Sequence, residues 1–585
     1  MKRNAEVRRG HLKLLVCLLP WLLAAPLLGQ DESNPPGRAA RLSYKGGNVT
    51  LQPNGETDWS QVDLNYTVTT GDRLYTDQGA RAELEVGPFA VRTSDATDLT
   101  MANLNDQLMQ LGIGQGSIRV SVYELPPGNT VEIDTPNGAL TAQGPGFYRV
   151  DVDPNGGTRV IVNNGSLTVT GGATNQTVEA GQAVELTGND NVEVNSIDFP
   201  GPDGFDQWCQ SRDRRVQSLR SRQYVNPYVP GAEDLDTYGQ WETAPEYGPV
   251  WYPSGVAADW VPYRFGHWAW VEPWGWTWVE DEPWGYCPFH YGRWAFIGAR
   301  WGWVPGPVAV VPVYSPALVA FVGGGVSVGI GVGGISPVAW FPLGPRDPFI
   351  PWYHYGPTYL RQVNVTNVRN VTTINNYIRN DRVVNVENIQ YQNRGLTVTA
   401  VPGNVFRNGQ PVAHSMLRVG PRQFERGQVI AHPAIAPART AVFAGKAPVA
   451  PPPLRTARVM GPPAAKNAPQ IQRGAPQVQR QAPIVTRPAN APAVTGTAPR
   501  PAGPPPNRPT FVTRTPLPPR DAPFSAHQQA LQRDPGRPLE PQQEQNIRQG
   551  RPAGPPRDRE ILPHAAPVPK PQAHTESKSQ KSEKQ

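Results

Sequence analysis

The sequence predicts a mainly β protein with a β roll or sandwich, a tryptophan-rich antiparallel β domain and a long disordered C-terminal tail. Three observations support this prediction: apolar and polar residues alternate in short runs, Gly and Asn separate those runs, and Pro is enriched in the C-terminal third. Alternation with a period of two places the apolar side chains of a strand on one face. Runs separated by turn residues about every eight to twelve positions are typical of all-β folds.

The chain begins with a predicted signal peptide, residues 1–29. Five basic residues precede an apolar stretch at 14–28, and Gly29-Gln30-Asp31 follow it. A basic start, a short apolar segment and a polar end are typical of secretory signals. We therefore expect an exported protein that is periplasmic, associated with the outer envelope or extracellular, with no stable transmembrane span in the mature chain. A retained signal anchor is the alternative, although the apolar stretch is short for a bilayer.

Residues 44–195 are predicted to form the first β domain. Between positions 81 and 86, Ala82, Leu84 and Val86 alternate with charged residues, which is the pattern of a half-buried strand. Turn sequences with Asn and Gly recur between such runs, because these residues tolerate positive φ. The acidic side chains lie on the polar face of the alternation, and we expect them to be solvated. The block contains no His or Cys, so no catalytic site is visible in it.

Five segments follow one another between residues 68 and 186: VTTGDRLYTDQGARAELEV, LGIGQGSIRVSV, TPNGALTAQGPGFYRVDV, VIVNNGSLTVT and AGQAVEL. Together they resemble the periplasmic FecR-type domain. The resemblance implies a strand-rich module that acts outside the cytoplasm. In the best-known members of that family, the domain relays an outer-membrane transport signal to a sigma factor. A sensor or regulator of the cell envelope is therefore a function that the resemblance implies, and a retained helix at 14–28 would favour it.

Residues 200–225 are predicted to form a helical connector. Phe205 and Cys209 recur with helical spacing, and Asp203 is a candidate N-cap residue. Cys209 and Cys287 are the two cysteines that follow the signal peptide, and the sequence leaves open whether they form a disulfide or remain free.

Residues 236–420 are predicted to form the second β domain. Twelve of the 17 tryptophans lie between Trp241 and Trp303, whereas positions 236–317 contain no Leu or Met and a single Ile. Aromatic side chains must therefore supply most of the apolar area that a core buries, and we interpret the tryptophans as core. A membrane belt and a surface that stacks on glycan or peptidoglycan are the alternatives. The candidate stacking residues are Trp268, Trp276, Trp294 and Trp303.

This domain contains a repeat. Two motifs return 26 and 27 residues later, namely Gly266-His267-Trp268 as Gly292-Arg293-Trp294, and Trp274-Gly275-Trp276 as Trp301-Gly302-Trp303. Two copies predict a pair of packed hairpins, with Trp276 and Trp303 in equivalent positions. The block resembles an uncharacterised aromatic-rich domain that often follows FecR-like domains in secreted bacterial proteins. The residues that carry this resemblance are YGQW (238–241), GHWAW (266–270), PWGWTWV (273–279), HYGRW (290–294), WGWVPGP (301–307) and VAWFPLGPRDP (338–348).

Two further stretches of this block lead to different predictions of secondary structure. Alternating Val, Ser and Gly at 326–332 predict a buried strand rather than a membrane span. Asn and Val recur with period three at 363–378, which predicts neither helix nor strand.

Polar residues of the second domain suggest a metal or acid–base site, but their spacing argues against one. His267, His290 and His354 could be combined with the acidic run 280–282. These spacings match no known ligand motif, and isolated His beside turn acids is usually structural. We therefore predict no catalytic residue, no cofactor and no metal.

Residues 421–585 are predicted to form a disordered, basic, proline-rich tail. Positions 401–585 carry 26 Lys+Arg and 9 Asp+Glu, a net charge of +17, so residues 1–400 sum to 6 − 17 = −11. Proline blocks helix and sheet, and little apolar area remains to build a core. A basic tail on an acidic body predicts contact with its own body, with envelope polysaccharide or peptidoglycan, or with another envelope protein. Because the chain is expected to be exported, we expect no nucleic-acid partner.

These observations favour a secreted or periplasmic, non-enzymatic scaffold or binding protein of the cell envelope. A FecR-type sensor or regulator is the first alternative. A carbohydrate-active enzyme is the second, although the sequence identifies no convergent pair of carboxylates for it.

Overall fold

A computed structural model describes residues 34–153, 156–188, 191–323, 336–367, 378–379, 382–383, 389–419, 427–454 and 511–555. The protein is mainly β, as predicted, with 36% of the described residues in strands and 15% in helices. None of the helices in this part of the chain is long and apolar enough to cross a membrane. The predicted signal peptide, the predicted strand at 326–332 and most of the segment 363–378 lie outside the described residues.

The first block is built from short strands. In chain order they are β1 Ala40–Gly46, β2 Val49–Gln52, β3 Trp59–Gln61, β4 Thr67–Val68, β5 Arg73–Thr76, β6 Arg81–Val86, β7 Phe89–Thr93, β8 Thr97–Leu104, β9 Leu108–Val122, β10 Thr130–Asp134, β11 Ala139–Ala142, β12 Gly146–Val152, β13 Thr158–Asn164, β14 Ser166–Gly171, β15 Thr174–Glu179, β16 Gln182–Thr187 and β17 Glu193–Ile197.

The long strand β9 joins two sheets. Its second half lies between β7 and β12 in a sheet with the order β4-β1-β6-β7-β9-β12-β13-β16-β17. Its first half lies between β8 and β10 in a sheet with the order β3-β2-β5-β8-β9-β10-β11-β14-β15. Gly116 marks the point where β9 changes sheets, and it has a φ of +88°. A side chain there would collide with Thr97, so the change of sheet requires glycine.

The second block and the tail add further elements. The strands are β18 Gly239–Ala244, β19 Gly248–Pro253, β20 Gly266–Val271, β21 Gly275–Glu280, β22 Arg293–Ile297, β23 Arg300–Val304, β24 Val319–Gly323, β25 Val338–Pro342, β26 Ile378–Arg379, β27 Arg382–Val383, β28 Thr399–Val401, β29 Gln428–Ile430 and β30 Pro448–Val449. The helices are α1 Gly204–Gln217, α2 Ala232–Tyr238, α3 Tyr286–His290, α4 Pro357–Val365, α5 Gly403–Arg407, α6 Arg439–Val442, α7 Phe524–Arg533 and α8 Pro541–Arg548, with a 3-10 turn at Ser221–Gln223.

Helix α1 is the predicted connector. The Asp203 side chain accepts hydrogen bonds from the backbone N–H groups of Phe205 and Asp206 at 2.8 and 2.9 Å, which confirms it as the N-cap. Cys209 and Cys287 are both buried and free, so they do not form a disulfide.

The acidic side chains of β6 are not solvated, so the expectation was wrong for this strand. Glu83 and Glu85 are 1% and 4% exposed. Helix α1 and the chain after it cover the polar face of the sheet: Arg92 binds both Glu83 and Asp213, and Arg212 also binds Glu83. A period of two identifies the polar face of a strand, but complementary charges on another element can still bury that face.

The predicted repeat corresponds to two hairpins, β20–β21 and β22–β23, but its register differs from the prediction. Trp268 opposes Trp278 in the first hairpin, and Trp294 opposes Trp303 in the second. Trp278 is therefore the counterpart of Trp303, and the predicted equivalence of Trp276 and Trp303 is wrong. The turns contribute to this difference, since three residues connect β20 to β21 and two connect β22 to β23.

The strands of the second block belong to separate small sheets. Their orders are β18-β19-β23-β22, β20-β21, β28-β25-β24-β29 and β26-β27. Strand β29 comes from the predicted tail and completes the third of these sheets beside β24. Strand β30 also comes from the tail, and it pairs with β3 of the first domain.

The described parts of the predicted tail, 427–454 and 511–555, pack against the body. Phe524 and Leu531 of α7 are 6% and 1% exposed, and both belong to the main apolar core. Over these residues the structure differs from the prediction, because a few apolar side chains suffice to dock a short helix on an existing core. The rest of the tail, 421–426, 455–510 and 556–585, lies outside the described residues.

Basic residues of the tail contact the acidic body, which is one of the predicted alternatives. Arg439 forms ion pairs with Glu56 and with Asp58, the latter at 2.9 Å. Lys446 lies 2.8 Å from Asp63. These pairs are partly exposed, so they contribute more to the orientation of the segment than to its stability.

We expect Leu531→Ala to lower the free energy of unfolding by about 2–5 kcal/mol, because it empties a buried site under α7. Urea unfolding followed by circular dichroism measures the change. Gln529→Ala is the matched control, since Gln529 lies on the same helix and is exposed. Equal stability of the two variants would show that α7 does not dock as described.

Candidate functional site

The tryptophans between Trp241 and Trp303 form a core, as predicted. Eleven of the twelve are buried, and Trp241 is half-buried. The four candidate stacking residues are among the most deeply buried, with exposed fractions of 1%, 0%, 1% and 1% for Trp268, Trp276, Trp294 and Trp303. None of these four rings offers a face to a ligand.

Contacts around two of these rings explain their burial. The Trp268 ring lies 5.3–5.4 Å, between centroids, from Phe321, Trp340 and Phe406, which belong to β24, β25 and α5. The indole N–H of Trp276 donates to the backbone oxygen of Ile435 at 3.2 Å. Large rings thus fill the space between elements, and part of their polar edge is satisfied by backbone.

The three candidate histidines of the second domain, His267, His290 and His354, do not converge. His267 lies 4.0 Å from both Asp63 and Asp281, and burial lowers its pKa to about 4. The Nδ1 atom of His290 lies 2.8 Å from the backbone oxygen of Ser315, and burial lowers the pKa of His290 to about 3. Within the described ranges, neither of these histidines nor His354 belongs to a group of three potential metal ligands. His267 and His290 are structural side chains, and both are neutral near neutral pH.

A ligand-sized groove lies at the edge of the sheet β18-β19-β23-β22, with a volume of about 510 Å³. Volumes of this size are typical of sites for small molecules and for short stretches of polymer. We call it the Tyr–Pro groove, and it is lined by Gln223, Tyr224, Glu246, Tyr247, Pro249, Val304, Pro305, Gly306, Pro307, Val308, Pro345, Arg346, Thr366 and Asn367.

The walls of the Tyr–Pro groove are held in place from behind. The Tyr224 ring packs on Trp241 with centroids 4.5 Å apart. Asn226 donates to the backbone oxygen of Val308 at 2.7 Å, which fixes the proline-rich wall after β23. Prolines add stiffness because their φ is fixed. The groove is therefore preformed rather than dependent on a ligand.

One rim residue of the groove has a strained backbone. Arg346 has a φ of +77°, in the left-handed region that a residue with a Cβ atom rarely adopts. Its guanidinium lies 3.1 Å from Glu246, and both side chains are exposed. Such strain persists only where surrounding structure maintains it, and it is concentrated at functional sites. Two of the aromatic motifs in the sequence, WGWVPGP and VAWFPLGPRDP, contribute this wall and this rim.

The structure contains a pair of carboxyl groups that the sequence prediction missed. Glu132 and Asp134 lie on the same face of β10, and both are fully buried. Residues from the tail cover them: the backbone N–H groups of Arg514 and Thr515 each donate to Glu132 at 2.9 Å. The side chain of Gln110 donates to Asp134 at 2.9 Å. The alternation in VEID reveals the shared face, but nothing local reveals the cover.

The two carboxyl groups have different protonation states. Burial, together with the nearby Glu132 carboxylate, raises the pKa of Asp134 to about 9. Although burial alone would raise the pKa of Glu132, its hydrogen bonds from Thr515 and Arg514 lower it. At neutral pH, Glu132 is therefore ionised and Asp134 is protonated.

Comparison with known proteins gives a family match over part of the second domain. A family of unknown function, DUF6600, matches residues 232–347, which include both hairpins and most of the groove. No curated protein matches the chain. Two crystal structures of a candidate anti-sigma factor from Parabacteroides distasonis ATCC 8503 are similar to parts of it. The first is 12% identical to this chain with a TM-score of 0.20, and the match covers 22% of this chain and 59% of that chain. The second is 13% identical with a TM-score of 0.21, and the match covers 31% of this chain and 99% of that chain.

We expect Trp276→Ala and Trp303→Ala each to lower the free energy of unfolding by about 3–5 kcal/mol, because each empties a large aromatic site. Chemical denaturation measures the loss. The wild-type tryptophan emission should be blue-shifted and poorly quenched by iodide. Trp208→Ala is the control, since Trp208 is half-buried, and its loss should be smaller. Near-wild-type stability of both core variants would contradict the core assignment.

We expect Asp134→Asn to stabilise the protein at alkaline pH. The carboxyl group loses its proton near pH 4 when unfolded but holds it to about pH 9 when folded, so its contribution to stability falls as the pH rises through that window. The amide removes this dependence. The variant should gain about 1–3 kcal/mol at pH 8 and almost nothing at pH 4, in thermal melts at both values. Exposed Asp95→Asn is the control, and a gain that is independent of pH would disprove the assignment.

Proposed function

We propose that this chain is an exported, non-enzymatic scaffold and binding protein of the cell envelope, and that it binds an anionic wall polysaccharide in the Tyr–Pro groove. The observation that carries the proposal is the groove itself, a preformed cavity of about 510 Å³ in a protein whose four candidate stacking tryptophans are buried. The predicted signal peptide supports export. We therefore propose the cell-envelope location and the polysaccharide ligand together.

The lining of the groove fits a sugar polymer. Tyr224 and Tyr247 provide aromatic faces, and Gln223, Thr366 and Asn367 provide hydrogen-bonding groups. Apolar walls with a few polar groups are typical of sites that orient a ligand. Arg346 at the rim adds a planar cation that suits carboxylates, which peptidoglycan and uronate polymers carry.

The first domain supports the scaffold part of the proposal. The five segments that resemble the FecR-type domain coincide with strands, among them β6, β9 and β12. We assign a FecR-like periplasmic module to residues 44–195 on that basis. A role as a signalling regulator rests on the sequence resemblance alone.

The carboxyl groups of the first domain support a non-enzymatic role. Glu132 and Asp134 are the kind of pair that glycoside hydrolysis uses. Here Glu132 accepts three hydrogen bonds from Arg514 and Thr515, including one from the Thr515 hydroxyl at 2.5 Å. The covering segment therefore occupies the position that a substrate would need.

We expect the purified protein to co-sediment with isolated peptidoglycan, and Arg346→Ala to weaken this binding at least about tenfold, a change of about 1.4 kcal/mol. Tyr247→Ala should have a similar effect, because it removes an aromatic face. Arg300→Ala is the matched control: Arg300 is exposed and paired with Glu242 on the same sheet, but it lies outside the groove.

Two outcomes would overturn the proposal. Wild-type protein that binds neither peptidoglycan nor an acidic polysaccharide would exclude the ligand class. Binding that Arg346→Ala and Arg300→Ala weaken equally would exclude the groove as its site.

A further inference from the structure

A cluster of potential metal ligands lies where the tail helices meet the first tryptophan hairpin. Glu272 is in the turn between β20 and β21, His527 is on α7 and Glu544 is on α8. One ligand atom from each of these residues lies within 4.8 Å of the other two. Three segments that are far apart in sequence thus bring one imidazole and two carboxylates together.

The cluster lacks the hydrogen bonds that its burial demands. His527 is 4% exposed, and its Nε2 atom has no hydrogen-bond partner among the described residues. The same is true of both carboxylate oxygens of Glu544. The Nε2 atom of His527 and the Oε2 atom of Glu544 are 3.1 Å apart, which is within ion-pair distance but without the geometry of a hydrogen bond. Buried polar atoms without hydrogen bonds destabilise the folded state, so a cation bound between these lone pairs would stabilise the cluster.

We propose that Glu272, His527 and Glu544 bind a divalent transition-metal ion, with Zn²⁺ as the best fit. Zinc accepts His nitrogen and Glu oxygen at about 2.0–2.2 Å, which in a tetrahedral site separates neighbouring ligand atoms by about 3.4 Å. The 3.1 Å between Nε2 and Oε2 is close to this value. An imidazole ligand disfavours Ca²⁺ and Mg²⁺, which prefer oxygen. Three protein ligands leave a fourth position for water.

The surroundings of the cluster support this assignment. The indole N–H of Trp270 donates to the Oε1 atom of Glu272 at 2.8 Å. A donor of this kind orients a ligating carboxylate and leaves its other oxygen for the metal. Because Trp270 belongs to the rigid hairpin, one ligand is fixed to the core and the other two arrive with the tail. The ion would therefore hold α7 and α8 against the hairpin.

A second carboxylate cluster provides the internal contrast. Glu83, Glu85 and Glu233 also lie within ligand distance of one another. There, guanidinium groups already supply the positive charge: Arg41 lies 3.3 Å from Glu85, and Arg92 and Arg212 both bind Glu83. In the described part of the chain, no Lys or Arg forms an ion pair with Glu272 or Glu544. Only the cluster at the tail helices lacks a neutralising arginine.

The test uses the full chain, stripped with a chelator and titrated with Zn²⁺. We expect one tightly bound ion per chain by elemental analysis and a higher melting temperature with the metal. Glu272→Gln and Glu544→Gln should each weaken Zn²⁺ binding at least tenfold. Glu233→Gln is the matched control and should leave the affinity unchanged. Substituted Co²⁺ should give visible absorption bands in wild type that Glu544→Gln loses, which separates ligation from a change in stability.

Three results would overturn the proposal. One is stripped wild-type protein that binds no Zn²⁺ or Co²⁺. Another is Zn²⁺ affinity that Glu272→Gln and Glu233→Gln reduce equally. The third is an unchanged Co²⁺ spectrum in Glu544→Gln. Since the cluster and the Tyr–Pro groove share no residue, none of these results depends on whether the groove binds a polysaccharide.

Discussion

The burial of tryptophan rings is the interaction on which the second domain depends. Its strands are short and belong to separate small sheets, so backbone pairing alone does not unite them. The rings do: Trp268 contacts aromatic side chains from two strands and a helix that are distant in sequence. A large indole buries much apolar area for one ordered side chain, which suits a stretch almost without Leu, Met or Ile. The groove wall and the Glu272 turn both extend from this core.

Charge compensation is the second constraint, and it joins the two domains. Arg41 of β1 is 1% exposed, and its guanidinium reaches Glu85 in its own domain and Asp234 of α2 beyond it. It also donates to the backbone oxygen of Pro283 at 2.6 Å. A buried guanidinium without these partners would be strongly destabilising. Burial of the polar face of the first domain therefore depends on contacts with the second domain.

Local patterns predicted what local physics decides. The alternation in RAELEV gave β6, Asp203 was identified as an N-cap, and the shortage of aliphatic residues identified the tryptophans as core. Properties that depend on distant partners were missed. The period of two shows that Glu83 and Glu132 each lie on the polar face of their own strand. It does not show that α1 covers Glu83 or that residues 514–515 cover Glu132. The Trp-Gly-Trp repeat predicted two hairpins but not their register, because the cross-strand pairing depends on the turns, whose lengths the repeat does not show.

The candidate site shows the same division. The prolines and Arg346 of the groove lie in motifs visible in the sequence, yet the groove forms only because β18–β19, the end of β23 and the loop after β25 meet. Composition predicted a tail without packed structure, since Pro and Arg dominate it. The tail has too few apolar residues for a core of its own, but a core is already present beneath it. Leu531 needs only one vacant site on that core, and α7 then brings His527 to the Glu272 turn. The cluster of His527 with Glu272 thus depends on the tryptophan core, which the sequence predicts, and on the docking of α7, which the sequence does not predict.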